Sequence, residues 1–161
     1  MIFVSVGTQL PFERLIRSMD FWSEENPDKE VFAQVGKTDY TPCFMAFSEK
    51  LSPAEYTEKV NNADLIVSHV GMGTIITGLE HFKKMILMPR LAEMGEHRND
   101  HQLGTAEKFS HIDSIVIVNS EYELKEAIDE HLSETRNNSV STNVRTSPEL
   151  INKLRDFIKT G

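Results

Sequence analysis

Two glycine-containing turns in this chain carry residue types that suit anion binding. One of them, Val70-Gly71-Met72-Gly73-Thr74, directly follows the apolar run Leu65-Ile66-Val67-Ser68-His69 and precedes a helical pattern. At such a junction the glycines let the backbone approach a ligand, and the first N–H groups of the helix lack intrahelical partners at the positive end of its dipole. The pattern predicts a phosphate-binding turn, with an ordinary tight turn as the alternative.

The other turn, Gly7-Thr8-Gln9, follows the first apolar run and precedes Pro11 at a helix start. The Thr8 hydroxyl and the Gln9 amide suit phosphate oxygens, and in a doubly wound sheet both turns can face one crevice. Neither turn matches the pattern G-x-x-x-x-G-K-[ST], which disfavours a P-loop ATPase or kinase. The third glycine and the acidic residue of the nicotinamide fingerprint are also missing, which disfavours an NAD-dependent oxidoreductase.

A third polar segment follows the apolar run at 85–88. Its candidate binding residues are Arg90, Glu96, His97, Arg98, Asp100, His101 and Gln102. Because the segment connects a strand to a helix, its cations and amides would reach the rim of the same crevice, where arginine can hold phosphate or carboxylate. A solvated helix face is the alternative. His97 and His101 have the spacing of a zinc pair, but the intervening Arg98 would repel a cation, so we predict no metal site.

An alternation of strands and helices must position these three segments. Short apolar runs predict strands at 2–6, 31–35, 65–70, 85–88 and 115–118, with an optional short strand at 43–47. The stretches between and after them predict helices at 12–25, 53–62, 74–82, 96–109, 121–132 and 148–159. This order indicates an α/β domain with a mostly parallel sheet and helices on both faces, in which ligands bind at the carboxyl ends of the strands.

The pattern divides the chain into three parts. Residues 1–133 form the predicted domain, 134–146 a polar linker rich in Asn and Ser, and 147–161 a C-terminal helix. The helix has an apolar stripe that includes Leu150, Leu154 and Phe157, and we expect it to pack on its own domain or on another chain.

Composition narrows the class of protein. The 161 residues suit one α/β domain, and no apolar run approaches the roughly 18 residues that span a bilayer. A net charge of -8 argues against non-specific binding to nucleic acid or to bare anionic lipid. The single cysteine, Cys43, suits a reducing cytoplasm, and we expect a buried thiol.

Four separated motifs resemble one known family. They are Val6-Gly7-Thr8-Gln9-x-Pro11-Phe12, Ser68-His69-x-Gly71-x-Gly73-Thr74, Leu79-Glu80, and Met88-Pro89-Arg90 with Gly95-Glu96-His97-x-Asn99-Asp100-His101-Gln102. In this order, over about residues 1–132, they resemble the PssE-like subunits of bacterial exopolysaccharide glycosyltransferases. That group is similar to the donor-binding C-terminal half of MurG and to the small cytosolic subunit of the eukaryotic dolichol-pathway N-acetylglucosaminyltransferase.

The resemblance implies a Rossmann-like domain equivalent to the C-terminal half of a GT-B hexosyltransferase. Such a domain binds a UDP-sugar without a metal or another cofactor, for inverting transfer to a lipid-diphosphate-linked saccharide in exopolysaccharide or capsule biosynthesis. It also implies a membrane-anchored, PssD-like partner that binds the acceptor and holds this chain at the cytoplasmic face of the cell membrane. Without that partner, the isolated chain is expected to be able to form homo-oligomers.

The resemblance also implies roles for individual residues. The UDP-sugar would contact Gly7, Thr8, Gln9, His69, Gly71, Met72, Gly73, Thr74, Thr77 and the candidates of the third segment. His101 is a candidate catalytic residue, although the base is expected from the partner. MurG-like proteins place a ribose-binding Glu where this chain has Thr77, and Glu80 lies one helical turn later.

The donor sugar and the activity each have alternatives. For the sugar, the resemblance favours glucuronic acid for a β-1,4-glucuronosyl transfer, with galactose and N-acetylglucosamine as alternatives, and a carboxylated sugar would give Arg90 or Arg98 a partner. For the activity, a non-catalytic UDP-nucleotide-binding regulatory subunit is the alternative.

Overall fold

A computed structural model of the chain describes residues 1–137, 151–152 and 155–156. Six parallel strands form one sheet in the order β3-β2-β1-β4-β5-β6. The strands are β1 (Ile2–Ser5), β2 (Val31–Gln34), β3 (Ala46–Ser48), β4 (Leu65–His69), β5 (Met85–Met88) and β6 (Ile115–Ile117). The helices are α1 (Glu13–Glu25), α2 (Pro53–Asn62), α3 (Met72–Glu80), α4 (His101–Phe109) and α5 (Glu121–Asn137), with a 3₁₀ turn at Ala92–Met94. The predicted doubly wound α/β class is confirmed.

The two faces of the sheet bury two separate apolar clusters. Side chains alternate along each strand, so that Val4 and Val67 pack in one cluster while Phe3 and Ile66 pack in the other. Every residue of β1 and of β5 is buried, as expected for parallel strands that are covered on both sides.

The strand order reverses beside β1, which pairs with β2 on one side and with β4 on the other. Ser5 is in register with Ser68, so β1 and β4 end at the same level. A crevice is expected outside the carboxyl ends of the strands at such a switch point. The two glycine turns therefore meet there, because each follows one of these two strands.

Helix α4 begins later than the sequence pattern predicts. Residues 96–100 are not helical, because side chains within the segment bind backbone N–H groups ahead of it. The Glu96 carboxylate accepts from Leu91 N at 3.1 Å, and Asp100 accepts from Ala92 N at 3.0 Å. Gly95 turns the chain with a φ of 70°. These bonds compete with helical ones and hold a turn at the rim of the sheet.

Other boundaries differ from the prediction by a few residues. Helix α3 begins at Met72 instead of Thr74, and the optional strand at 43–47 lies at Ala46–Ser48. Helix α5 continues to Asn137, so the first residues assigned to the linker are helical. The remainder of the linker lies outside the described residues. Residues 151–152 and 155–156 are helical, and the rest of the predicted C-terminal helix also lies outside.

A buried carboxylate orders the loop between β2 and β3. Asp20 on α1 is fully buried and accepts hydrogen bonds from the Tyr40 hydroxyl at 2.5 Å and from the backbone N–H groups of Cys43 and Phe44. The bond to Asp20, and then burial, raise the pKa of Tyr40 to about 12. The loop presents the Cys43 side chain to solvent, so the expectation of a buried thiol is wrong.

No helix among residues 1–137, 151–152 and 155–156 is both long enough and apolar enough to cross a bilayer.

We predict that Asp20→Ala lowers the free energy of unfolding by about 3 kcal/mol, because the Tyr40 hydroxyl and the backbone N–H groups of Cys43 and Phe44 lose their buried acceptor. Chemical denaturation measures this change, and titration of Tyr40 should show its pKa falling toward the ordinary value. Asp28→Ala is the matched control, since Asp28 is exposed and its ion pair is with the neighbouring Lys29. Equal denaturation midpoints for Asp20→Ala and the wild type would contradict the assignment.

Candidate functional site

A crevice of about 700 Å³ lies at the carboxyl ends of the strands. Its walls come from the turns after β1 and β4, from the segment after β5, and from α2 and α3. Twelve of the predicted binding residues line it, namely Gly7, Thr8, Gln9, His69, Gly71, Met72, Gly73, Thr74, Thr77, Arg90, His97 and Gln102. The fold therefore brings together three segments that are separated by up to 95 positions in the chain, from Gly7 to Gln102.

Four predicted residues, Glu96, Arg98, Asp100 and His101, do not line the crevice. Glu96 binds the guanidinium of Arg14 through two bonds of 3.0 Å. Asp100 caps the backbone at Ala92, as described above. Arg98 and His101 are exposed beside the crevice. Glu96 and Asp100 therefore shape the loop, whereas His101 is not among the residues that line the crevice.

Sequence reasoning missed several residues that line the crevice. They are Ser5, Val6, Leu10, Gln34, Leu51, Pro53, Tyr56 and Thr57. Gln34 ends strand β2, so its place at the carboxyl edge could have been read from the same rule that placed the glycine turns. The α2 residues carried no such signal, because a helix reaches the crevice only through its packing on the sheet.

Arg90 is a buried cation at the floor of the crevice. Its side chain is 3% exposed, and it donates to Val6 O at 2.5 Å, to Leu10 O at 2.6 Å and to His69 Nδ1 at 2.7 Å. Its guanidinium carbon lies 5.0 Å from the centre of the Phe12 ring. Burial lowers the pKa of Arg90 to about 10, so the group stays charged at neutral pH.

The charge of Arg90 has no paired carboxylate within the described part of the chain. Its three acceptors are neutral, and its Nε is buried without a hydrogen-bond partner. The residues that line the crevice include no Asp or Glu. Glu96 acts on Arg90 only without direct contact and is itself paired with Arg14. A buried cation with no carboxylate in contact favours an anion in the adjoining space.

The imidazole of His69 explains two of the glycines. A Cβ at Gly71 would lie 2.5 Å from His69 Nε2, and a Cβ at Gly7 would lie 2.8 Å from the same atom. Gly7 also has a φ of 76°, which a side chain would strain. Both glycines therefore make room for this ring. Gly73 differs, because a Cβ there would meet no atom within 4 Å.

The first turn of α3 adds backbone donors to the crevice. Gly71 is the N-cap and provides no side-chain hydrogen bond, while Met72, Gly73 and Thr74 of the first turn line the cavity. The Thr74 hydroxyl lies 3.3 Å from the hydroxyl of Tyr56 on α2. These N–H groups and the helix dipole suit an anionic ligand.

The crevice has no carboxylate at position 77, where the resemblance places a ribose-binding Glu. The Thr77 hydroxyl lines the crevice and donates to Gly73 O at 2.8 Å. Glu80 lies away from the crevice wall and pairs with Arg155. Glu80 therefore does not substitute for a carboxylate at position 77 in this conformation.

His69 is held neutral by its surroundings. Burial, followed by the charges of Arg90 and His97, lowers the pKa of His69 to about 3. Among the described residues, no group of three or more His, Cys, Asp or Glu side chains could hold a metal ion. The site is thus an electropositive crevice lined by amides, hydroxyls and backbone N–H groups.

Comparisons with known proteins agree on the fold. The model of the family described as glycosyltransferase family 28 C-terminal domain matches residues 1–160. No curated protein sequence matches the chain. Among solved structures, the chain is similar to the glycotransferase of kitacinnamycin, with a TM-score of 0.63 and 20% identity over 98% of this chain and 38% of that one.

Two further structures are similar. The NMR structure of ALG13 matches with a TM-score of 0.62 and 15% identity, over 95% of this chain and 93% of that one. MurG of Acinetobacter baumannii matches with a TM-score of 0.60 and 15% identity, over 99% of this chain and 49% of that one. This chain thus spans less than half of the kitacinnamycin and MurG chains, and nearly all of ALG13.

We predict that His69 makes stability depend on pH. Its pKa is about 3 when folded and near 6.5 when unfolded, so between these values the unfolded chain binds more protons. The contribution is complete above pH 6.5 and is lost as the pH falls, with a slope of at most about 1.4 kcal/mol per pH unit.

Urea denaturation between pH 6.5 and about 5 measures this slope. His69→Asn should reduce it, because Asn can still accept from Arg90 but does not titrate. His111→Asn, at an exposed position, is the control and should keep the wild-type slope. If the free energy of unfolding changed with pH at the same slope in His69→Asn as in His111→Asn, the role of His69 would be refuted.

Proposed function

Because the chain belongs to the glycosyltransferase family 28 C-terminal domain family, we propose that it binds the UDP-sugar donor of an inverting GT-B glycosyltransferase. The chain has the Rossmann-like fold of GT-B C-terminal domains. A crevice of about 700 Å³ falls within the usual range for small-molecule sites. The family, the fold and the size of the crevice support a nucleotide-sugar ligand.

The observation that carries the proposal is the buried charge of Arg90, which has no carboxylate in contact, beneath the two glycine turns. A diphosphate would place its negative charge next to this cation and against the first turn of α3, where donors are already oriented. The same donors would stabilise UDP as the leaving group in the transition state. No step of this binding requires a metal, because Arg90 and the helix dipole provide the positive field.

We propose that the acceptor is bound by a separate chain. The chain matches nearly all of ALG13 and about half of MurG, and the resemblance assigns the acceptor half to a partner chain. The crevice wall has no carboxylate to act as a general base, so the base is proposed to come from the partner. In line with the resemblance, the partner is membrane-anchored and PssD-like, the acceptor is a lipid-diphosphate-linked saccharide, and the product enters exopolysaccharide or capsule at the cytoplasmic face of the membrane.

We predict that Gly73→Leu weakens UDP binding at least about tenfold, or about 1.4 kcal/mol, while the fold stays intact. A side chain at Gly73 meets no protein atom within 4 Å, so it would extend into the crevice instead of disturbing the core. Isothermal titration calorimetry with UDP, together with thermal unfolding of the free proteins, separates the two effects.

Gly104→Leu is the matched control for Gly73→Leu. Gly104 is also helical and also has open space at its Cβ, but it lies outside the crevice, so UDP affinity should not change. If NAD stabilised the protein against thermal unfolding and UDP did not, the proposal would be contradicted. UDP binding without sugar transfer, when the partner and a lipid-linked acceptor are added, would favour the regulatory-subunit alternative.

For the donor sugar we propose glucuronic acid, as the resemblance favours. Arg90 lies beneath the glycine turns, where the proposal places the diphosphate, so a different cation is assigned to the sugar carboxylate. Arg98 is exposed, and it follows His97, which lines the crevice. Its guanidinium is therefore the group that we assign to the carboxylate of the sugar.

Arg98→Ala should weaken binding of UDP-glucuronate about tenfold, which is the loss of one charge-assisted hydrogen bond. Binding of UDP-galactose should not change, because that sugar has no carboxylate. Competition titrations of both donors on wild type and variant measure the difference. Equal losses for the two donors would exclude a role for Arg98 in selecting the sugar.

A further inference from the structure

The protonation of the His69 ring is determined by its neighbours. A neutral imidazole has one donor nitrogen and one acceptor nitrogen, and its partners decide which is which. Nδ1 of His69 has two such partners, the guanidinium of Arg90 at 2.7 Å and the side-chain amide of Gln102 at 3.3 Å.

The orientation of the Gln102 amide follows from two backbone groups. Its Oε1 accepts from Arg90 N at 2.9 Å and from Val70 N at 3.3 Å, and each of these N–H groups can only donate. The NH₂ group must then face His69. Since Gln102 is 7% exposed, water cannot readily replace these bonds.

The guanidinium of Arg90 independently indicates that Nδ1 of His69 is an acceptor. Arginine has donors only, so the nitrogen that it faces must be an acceptor. Two donors on Nδ1 leave the proton of the neutral ring on Nε2. No hydrogen bond joins Nε2 to any described residue, and its edge of the ring lies between Gly7 and Gly71 at the crevice wall.

We propose that Arg90 and Gln102 are positioning residues that hold His69 as the Nε2–H tautomer, so that this N–H is a preformed donor facing the crevice. Its value for a diphosphate rests on the proposed function above, whereas the tautomer itself does not. Both residues act through His69, and they were predicted from the sequence as direct ligand contacts.

The arrangement gives a donor that keeps its direction through the pH range of the cell. A ring that could exchange tautomers would present an acceptor lone pair to an anion part of the time, which is repulsive. With Nδ1 occupied by two donors, exchange would require breaking the bonds to Arg90 and Gln102 together. The crevice therefore gains a fixed neutral donor beside the buried cation.

NMR of ¹⁵N-histidine-labelled full chain tests the tautomer directly. Two-bond correlations from the ring protons to the ring nitrogens distinguish Nε2–H from Nδ1–H, and the His69→Asn spectrum assigns the signal among the six histidines. At pH 7 we expect Nε2–H for His69 in the free protein. An Nδ1–H ring, or an equal mixture, would overturn the proposal.

The variant Gln102→Glu provides a second test, because it should change the tautomer of His69. A carboxylate still accepts from Val70 N and Arg90 N, but it faces Nδ1 with an acceptor and so opposes the donor of Arg90. We therefore expect a mixture of tautomers, or a ring protonated on both nitrogens, in place of pure Nε2–H. Gln9→Glu adds the same charge to the crevice without contacting Nδ1, and its His69 signal should stay as in wild type. In Arg90→Lys, which cannot reach all three acceptors, we expect a mixture of tautomers. A wild-type His69 signal in Gln102→Glu would refute the role of Gln102. A wild-type His69 signal in Arg90→Lys would refute the role of Arg90.

Addition of UDP separates this proposal from the proposed function. A shift of the His69 Nε2 signal on titration with UDP supports both. An Nε2–H ring with no UDP binding leaves the tautomer assignment standing and refutes the nucleotide ligand. UDP binding to a protein whose His69 is Nδ1–H would refute the tautomer assignment and support the nucleotide ligand.

Discussion

The burial of one positive charge organises this site. Arg90 follows strand β5, yet its guanidinium reaches the carbonyl groups of the loop after β1 and the ring of the last residue in β4. Three separate strand ends are thus joined at one cation. Burying a charge is unfavourable unless it is well hydrogen-bonded, so these loops keep the conformation that supplies the acceptors. The positions of Gly7, of His69 and of the first turn of α3 all depend on this cluster.

A second arginine pairs with the carboxylate of Glu96 near the crevice. Arg14 on α1 binds the Glu96 carboxylate and the carbonyl groups of Pro89 and Asn119, which joins the segments after β5 and β6. The carboxylate of Glu96, which was predicted to lie at the rim, is therefore bound to α1. In a chain with a net charge of -8, a crevice wall with Arg90 and without Asp or Glu has a local positive field.

The sequence alone predicted the parts of the site that follow from the backbone. Gly71 and Gly7 lie where predicted because apolar runs define the strands, and the ends of parallel strands meet at one edge. The start of α4 was misplaced, since the bonds of Glu96 and Asp100 to the backbone replace helical ones. Tyr56 was not predicted, because helix α2 reaches the crevice only through its packing on the sheet.

Hydrophobic period and strand–helix order are local properties of the chain, so they were enough to predict the fold class, the place of the crevice and twelve of the residues that line it. The role of each polar side chain depends on the folded structure. Arg90, Gln102 and Glu96 all looked like ligand-binding residues. The fold commits Glu96 to Arg14, and Arg90 and Gln102 to His69 and the backbone. Hydrogen-bond partners are chosen by distances between segments far apart in the chain, and sequence spacing does not encode those distances.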